Sequence, residues 1–210
     1  MTDDLLTAKE YAEAENYAKA WPIVSKALND APDDAKALCL AAFMLEKQGQ
    51  NALAYQVCKR IVTLYPSNAV GWLNLGKTCD SLWRMEEAEA AYRRALNNLK
   101  AGDDATKLLC FTNMAAMFAQ IGKFNECRGY SERALKIDPQ HLKSRHNLGI
   151  SLLAARQWKE GWRQYEASVG SPQRIAYKYG DEPTWTGEPD KTVAIYGEQG
   201  IGDEICAASM

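Results

Sequence analysis

Apolar residues run along the chain in helix-length amphipathic blocks, and several blocks close on a proline turn. Residues 31–34 (Ala-Pro-Asp-Asp), 65–68 (Tyr-Pro-Ser-Asn) and 138–141 (Asp-Pro-Gln-His) each follow such a block, and Pro32 and Pro66 lie 34 residues apart. A 34-residue frame divides the chain into 1–34, 35–68, 69–102, 108–141 and 142–175, with a five-residue insertion at 103–107. The frame is self-consistent. Slot eight holds Ala8, Ala42, Gly76, Ala115 and Gly149, and slot twenty holds Ala20, Ala54, Ala88, Cys127 and Gly161. Slot 27 holds Ala27, Ile61, Ala95, Ala134 and Ser168. Slot eleven is larger (Tyr11, Leu45, Cys79, Phe118, Leu152), and slot 28 is branched and apolar (Leu28, Val62, Leu96, Leu135, Val169).

Each unit therefore reads as two amphipathic helices, over about slots 2–14 and 18–31. Small side chains at slots eight and twenty let the two helices approach closely. Larger ones at slots four, seven, eleven and 24 fill the space to the next unit. Gly49 and Gly122 sit between helices, where a left-handed backbone is often needed. Trp72, Trp83, Trp158 and Trp162 fall at packing or inter-helix slots and are expected in the core.

Composition changes this picture little but excludes several classes. The chain has 210 residues, 25 basic and 27 acidic, for a formal charge of −2, with 47% hydrophobic and 25% charged residues. That composition is globular rather than disordered. The near-neutral balance argues against a nucleic-acid binder, which needs a basic face. The acidic N-terminus has no apolar core of a signal peptide. The longest apolar run, 37–45, spans about 14 Å as helix, against about 30 Å of bilayer core. Cys39, Cys58, Cys79, Cys110, Cys127 and Cys206 contain no C-x-x-C pair and read as reduced core thiols of a cytoplasmic protein. His141 and His146 lack a partner at metal spacing, so they read as solvated, and neither a metal nor a cofactor is expected. No nucleophile–base pair is apparent within the repeats.

The repeat pattern resembles the tetratricopeptide repeat (TPR) family. Its clearest copies are Trp72, Leu75, Gly76, Ala88, Tyr92 and Ala95, and then Phe111, Met114, Ala115, Phe118, Ala134 and Pro139. Asp4, Thr7, Ile61 and Arg145 depart from it. The resemblance covers 1–170 and implies an all-α, right-handed superhelix of about five helix-turn-helix repeats, with a concave groove lined by the first helix of each repeat. Slots 2, 5, 6, 9, 12 and 13 then face inward. Lys9, Glu13, Lys36, Glu46, Lys47, Lys77, Asp80, Gln120, Lys143 and His146 supply mixed charge there, and Phe43, Leu73, Leu109 and Ile150 supply apolar patches. That surface suits a protein or peptide partner with polar and apolar contacts.

Slot six carries Asn74, Asn113 and Asn147 in successive repeats. An amide both donates and accepts, so this row resembles the asparagine ladder of the O-GlcNAc transferase superhelix, which holds a peptide backbone. The competing reading, also from resemblance, is the carboxylate clamp of chaperone-binding members, with Lys77, Asn113 and Lys143 in reach of that role. Leu73 and Asn147 stand where the clamp wants polar or basic groups.

Beyond the repeats, residues 171–190 hold three prolines and two glycines and read as a linker, whose Ile175, Tyr177, Tyr179 and Trp185 are suited to cover the last apolar face. Residues 192–196 (Thr-Val-Ala-Ile-Tyr) read as a strand, 197–203 (Gly-Glu-Gln-Gly-Ile-Gly-Asp) as a glycine loop and 204–210 as the start of a helix. Residues 157–166, 183–187 and 197–203 resemble the junction between such repeats and a heptosyltransferase-like domain in bacterial and phage glycosyltransferases. By that resemblance Asp203 is a candidate general base in a full-length parent, Gly200 and Gly202 line a substrate loop, and 191–210 is the truncated start of a Rossmann-like domain. The expectation is thus a non-catalytic interaction scaffold, or else the acceptor-recognition arm of a glycosyltransferase. A homodimer is expected to depend on 176–210, where an orphan strand would expose unpaired backbone.

Overall fold

A computed structural model describes residues 3–167, which form ten helices and no strand. The helices pair within the frame as α1 (Asp3–Glu13) with α2 (Tyr17–Asp30), α3 (Ala35–Lys47) with α4 (Asn51–Leu64), and α5 (Ala69–Ser81) with α6 (Met85–Asn97). They continue as α7 (Asp104–Gln120) with α8 (Phe124–Ile137) and α9 (Leu142–Ala154) with α10 (Trp158–Glu166). The linker 171–190, the strand-loop-helix 191–210, Gly200, Gly202 and Asp203 lie outside the described residues.

Consecutive first helices pack closely on one another, whereas consecutive second helices do not and meet only through long side chains, as Tyr55 of α4 reaches Glu87 of α6. The first helices therefore form the tighter, inner wall of a superhelix and the second helices its splayed outer wall. Slots eight and twenty are buried in all five repeats, as the frame requires. A Cβ on Gly76 would stand 2.6 Å from the Tyr92 ring, and one on Gly149 would stand 2.7 Å from the Tyr165 backbone nitrogen. Larger apolar groups fill the layers between repeats, in one cluster over repeats one and two and another over repeats two to four.

The proline tetrads end one helix and start the next. The backbone N–H at Ala31, Tyr65 and Asp138 still reaches the carbonyl four residues back, and the proline that follows cannot continue the helix. In two of the three tetrads the side chain of the last residue then caps the next helix. The Asp34 carboxylate accepts from Ala37 N at 2.7 Å and the Asn68 amide oxygen from Gly71 N at 2.9 Å. The insertion at 103–107 is not a loop. It becomes an added N-terminal turn of α7, which has 17 residues against 13 in α3, α5 and α9, capped by Asp103 on Thr106 N at 3.1 Å.

Slot 15 is left-handed throughout. Gly49 and Gly122 have φ of 72°, and Glu15, Trp83 and Arg156 are held at 58–59°. This position corrects the expectation for Trp83. As the turn residue it faces away from both helices and is 70% exposed. Trp158 and Trp162, at 57% and 50%, are also outside the core, because no described repeat follows α10. Trp72 alone of the four packs as expected, half-buried, with its indole N–H donating to the Pro66 carbonyl at 2.7 Å.

Ile61 is the oversized member of slot 27, and its departure has a local cause. It is fully buried, and its Cγ2 occupies the space that a Cβ on Gly71 would need. The two positions are complementary. Gly71→Ala in the native chain should therefore fail to deliver the gain of about 1 kcal/mol that alanine brings to a helix. The same change in an Ile61→Ala background should deliver it, a sign of coupling read by chemical denaturation. Equal effects in both backgrounds would break the pairing. At slot 15, Gly49→Ala should destabilise by about 1–2 kcal/mol, the left-handed penalty of a Cβ, and a thermal melt measures it.

Candidate functional site

The concave wall carries two adjoining groups of side chains. The first lies on α3 and α5. Lys77 Nζ pairs with Glu46 Oε2 at 3.0 Å, with both side chains mostly buried. The half-buried Phe43 ring lies between two ammonium groups, Lys77 at 5.4 Å and Lys47 at 5.9 Å from its centroid. The second lies on α7 and α9, around a cavity of about 390 Å³ lined by Asn113, Ala116, Gln120, Lys143, His146 and Ile150, among others. The His146 ring stacks on Tyr165 with centroids 4.9 Å apart.

The two groups are electrically one surface. Burial holds the Lys143 ammonium below the usual lysine range, and Lys47 and then Lys77 push it further down, with Glu46 opposing. Cations from repeats two, three and five thus converge on the same stretch of groove. The mixed signs of the sequence resolve unevenly: Glu46 is taken by Lys77, while Lys47 and Lys143 have no carboxylate within ion-pair distance among the described residues. Asp80 does not compensate as an ordinary carboxylate does, since burial pushes it up to about 6. Its Oδ1 and the Tyr92 hydroxyl are both buried without a hydrogen-bond partner among the described residues.

Of the groove residues expected from sequence, Asn113, Lys143, His146 and Asn147 come together at the cavity, with Phe43 and Lys77 beside it. Lys9, Leu73 and Asn74 do not join them. Lys9 pairs with Glu13 at 3.5 Å in the first repeat. Leu73 is buried in the core, because slot five of this repeat faces its neighbours rather than the open groove.

The asparagine row also differs from its expected role. Asn74 Nδ2 donates to the Cys39 carbonyl at 3.3 Å, and Asn147 Nδ2 donates to the Thr112 carbonyl at 3.2 Å. In both cases slot six bonds to slot five of the preceding repeat. These amides tie first helices together, and their donors are engaged. Asn113 makes no such bond among the described residues and lines the cavity instead. Periodicity identified the slot but did not reveal which partner takes the amide.

The histidines are not simply solvated. His141 Nδ1 and Ser144 Oγ lie 2.9 Å apart, and Ser144 Oγ lies 2.9 Å from Thr112 Oγ1. Burial lowers the His141 pKa. Ser144 is fully buried, so this hydroxyl–imidazole contact is closed to a substrate. The five described cysteines are free. Burial pushes Cys39 and Cys127 up to about 11 and Cys58, Cys79 and Cys110 up to about 12, so none is a thiolate near neutral pH. No cluster of metal-ligating side chains occurs among the described residues, and no helix there is long and apolar enough to cross a membrane.

Comparison with known proteins places this geometry in context. The family model for ChAPs (Chs5p-Arf1p-binding proteins) matches residues 4–99, just under half of the chain. No curated protein matches. Solved structures of helical-repeat proteins do. TTC0263, a thermophilic TPR protein of Thermus thermophilus, is 18% identical, with a TM-score of 0.68 over 81% of this chain and 91% of its own. PilW, a type IV pilus biogenesis factor, is 22% identical, with a TM-score of 0.70 over 79% and 74%. MamA is 14% identical, with a TM-score of 0.62 over 77% and 91%. At these identities the likeness is one of fold, the TPR-like superhelix.

Asp80 yields a pH prediction. Its folded pKa of about 6 lies above the ordinary 3.8, so the folded state keeps a proton that the unfolded chain loses first. That contribution is complete below about pH 4 and is lost as pH rises through 6. Asp80→Asn should therefore raise the melting temperature at pH 7.5, leave it nearly unchanged at pH 4, and flatten the profile between. A variant less stable than the native chain at pH 7.5 would contradict the burial argument.

Proposed function

We propose that this chain is a binding scaffold whose concave groove takes an extended segment of a partner protein bearing an acidic group over Lys47 and Lys143. The observation that carries this reading is the convergence of Lys47, Lys77 and Lys143 on one stretch of groove with a single paired carboxylate. Cations held close together and partly dehydrated favour an anion that relieves their repulsion. Asn113 and His146 supply polar contacts beside Lys143, and Leu109 and Ile150 supply apolar ones along the same helices. A ligand of alternating apolar and acidic character matches that arrangement. The TPR-like fold and the adaptor-type description of the family matching 4–99 support an interaction role.

The proposal includes no catalytic step for this chain. The alternative, a recognition arm attached to a glycosyltransferase, rests on 171–210 and on Gly200, Gly202 and Asp203, all outside the described residues. The dimer through 176–210 stands on the same ground.

The reading is tested with fluorescein-labelled peptides of alternating leucine and serine, one with a central aspartate and one with asparagine there. The aspartate peptide should bind the native chain more tightly, with affinity falling as salt rises. Lys47→Glu combined with Lys143→Glu should weaken it about tenfold or more, the scale of one charged hydrogen bond. Lys26→Glu, on the outer helix α2, should leave it unchanged. Equal binding of the two peptides, or indifference to charge reversal in the groove, would remove the acidic-ligand reading.

A further inference from the structure

The internal repeat makes the far end of the superhelix interpretable. Slot 21 is aromatic in three repeats: Trp21, Tyr55 and Trp162. In the first two, the following repeat covers it. The Trp21 indole N–H donates to Gln48 Oε1 at 3.0 Å. The Tyr55 hydroxyl donates to Glu87 Oε2 at 3.1 Å, and the Arg84 guanidinium lies 4.6 Å from its ring centroid. Gln48, Arg84 and Glu87 all belong to the next unit along the chain. Trp162 has the same slot on α10 and no next unit among the described residues. It meets Tyr165 edge-on at 5.7 Å within its own helix and leaves half its surface bare. Trp158, one turn earlier, is barer still. Two adjacent indoles on the last described helix form an apolar face, and at the slot of Trp162 the two earlier aromatics are met by the following repeat.

We propose that residues 171–190 of this same chain cover that face, with Ile175 and Tyr177 seated against Trp158 and Trp162. The composition of 171–190 argues against a further helix pair there as the cover, since it holds Pro172, Pro183 and Pro189 with Gly180 and Gly187. The segment has the needed chemistry, because Ile175, Tyr177, Tyr179 and Trp185 are its large apolar groups. It also has the reach. Eight residues separate Ala167 from Ile175, about 26 Å when extended, while Trp162 lies about 7.5 Å back along α10. A covering segment tethered this closely has a high effective concentration, which favours it over a second copy.

The test places a photo-crosslinker in the full chain as Trp162→p-benzoylphenylalanine, with Trp83→p-benzoylphenylalanine as the control at a still barer indole whose next repeat is present. After irradiation and trypsin digestion, crosslinks from position 162 should map to peptides 175–178 and 179–191 in monomeric product, and those from position 83 should not. Adding Ile175→Asp and Tyr177→Asp should abolish the crosslinks from position 162 while the helical circular dichroism of the repeats persists. A crosslinked dimer would assign the face to a second copy and overturn the inference. So would an absence of crosslinks, or crosslinks that survive the aspartate substitutions, since those reflect tethering without packing.

Discussion

Everything in this superhelix depends on how closely two helices of one repeat can approach. The approach is set where side chains are nearly absent, at slots eight and twenty, whose alanines, glycines and one cysteine are buried in every repeat. At Gly76 the neighbouring Tyr92 ring takes the volume of a missing Cβ, and at Gly149 the backbone of Tyr165 does so. Dense interiors tolerate such contacts only when the partner's shape is fixed, and a buried aromatic ring or a helical backbone is fixed. The close approach then sets the layer spacing, and the layer spacing determines which residues of the first helices reach the groove.

The groove's chemistry follows from that spacing rather than from local sequence. Lys47, Lys77 and Lys143 belong to three repeats, yet Lys143 lies within electrostatic range of the other two, and Lys47 and Lys77 approach the same Phe43 ring. The stacking of first helices thus gathers three lysines from separate repeats into one basic surface. Glu46, the groove carboxylate in contact with it, is already engaged by Lys77.

Much of the fold was legible in the sequence because its signals are local and repeated. Slot periodicity located both helices of each unit, the prolines located their ends, and Gly49 and Gly122 located two of the five left-handed turns. What was not legible depended on cross-repeat geometry. Glu15, Trp83 and Arg156 adopt the same left-handed turn without glycine, because the helices on either side impose it. That is why an indole at slot 15 points to water. Asn74 and Asn147 were found by position but misjudged in role, since the carbonyl each meets lies 35 residues earlier. The insertion at 103–107 was expected between units, yet helix formation from Asp103 onward absorbs it. The candidate site was legible as a list of residues. Its division into a paired lysine, two uncompensated ones and a buried carboxylate was not, because those distinctions arise only when the helices are in place.

The lack of close backbone packing between successive outer helices has a mechanical consequence. A stack joined along its inner wall, and between layers by outer helix against the next inner helix, has little outer hoop to stretch beyond a side-chain contact such as Tyr55 with Glu87. Small rotations at each inner junction therefore add along the array while little packing is broken. The molecule should behave as a soft spring, stiff within each repeat and compliant in pitch and in the width of its channel. A partner seated in the channel would then do elastic work on the coil, and that work would be shared among all the junctions rather than concentrated at a hinge.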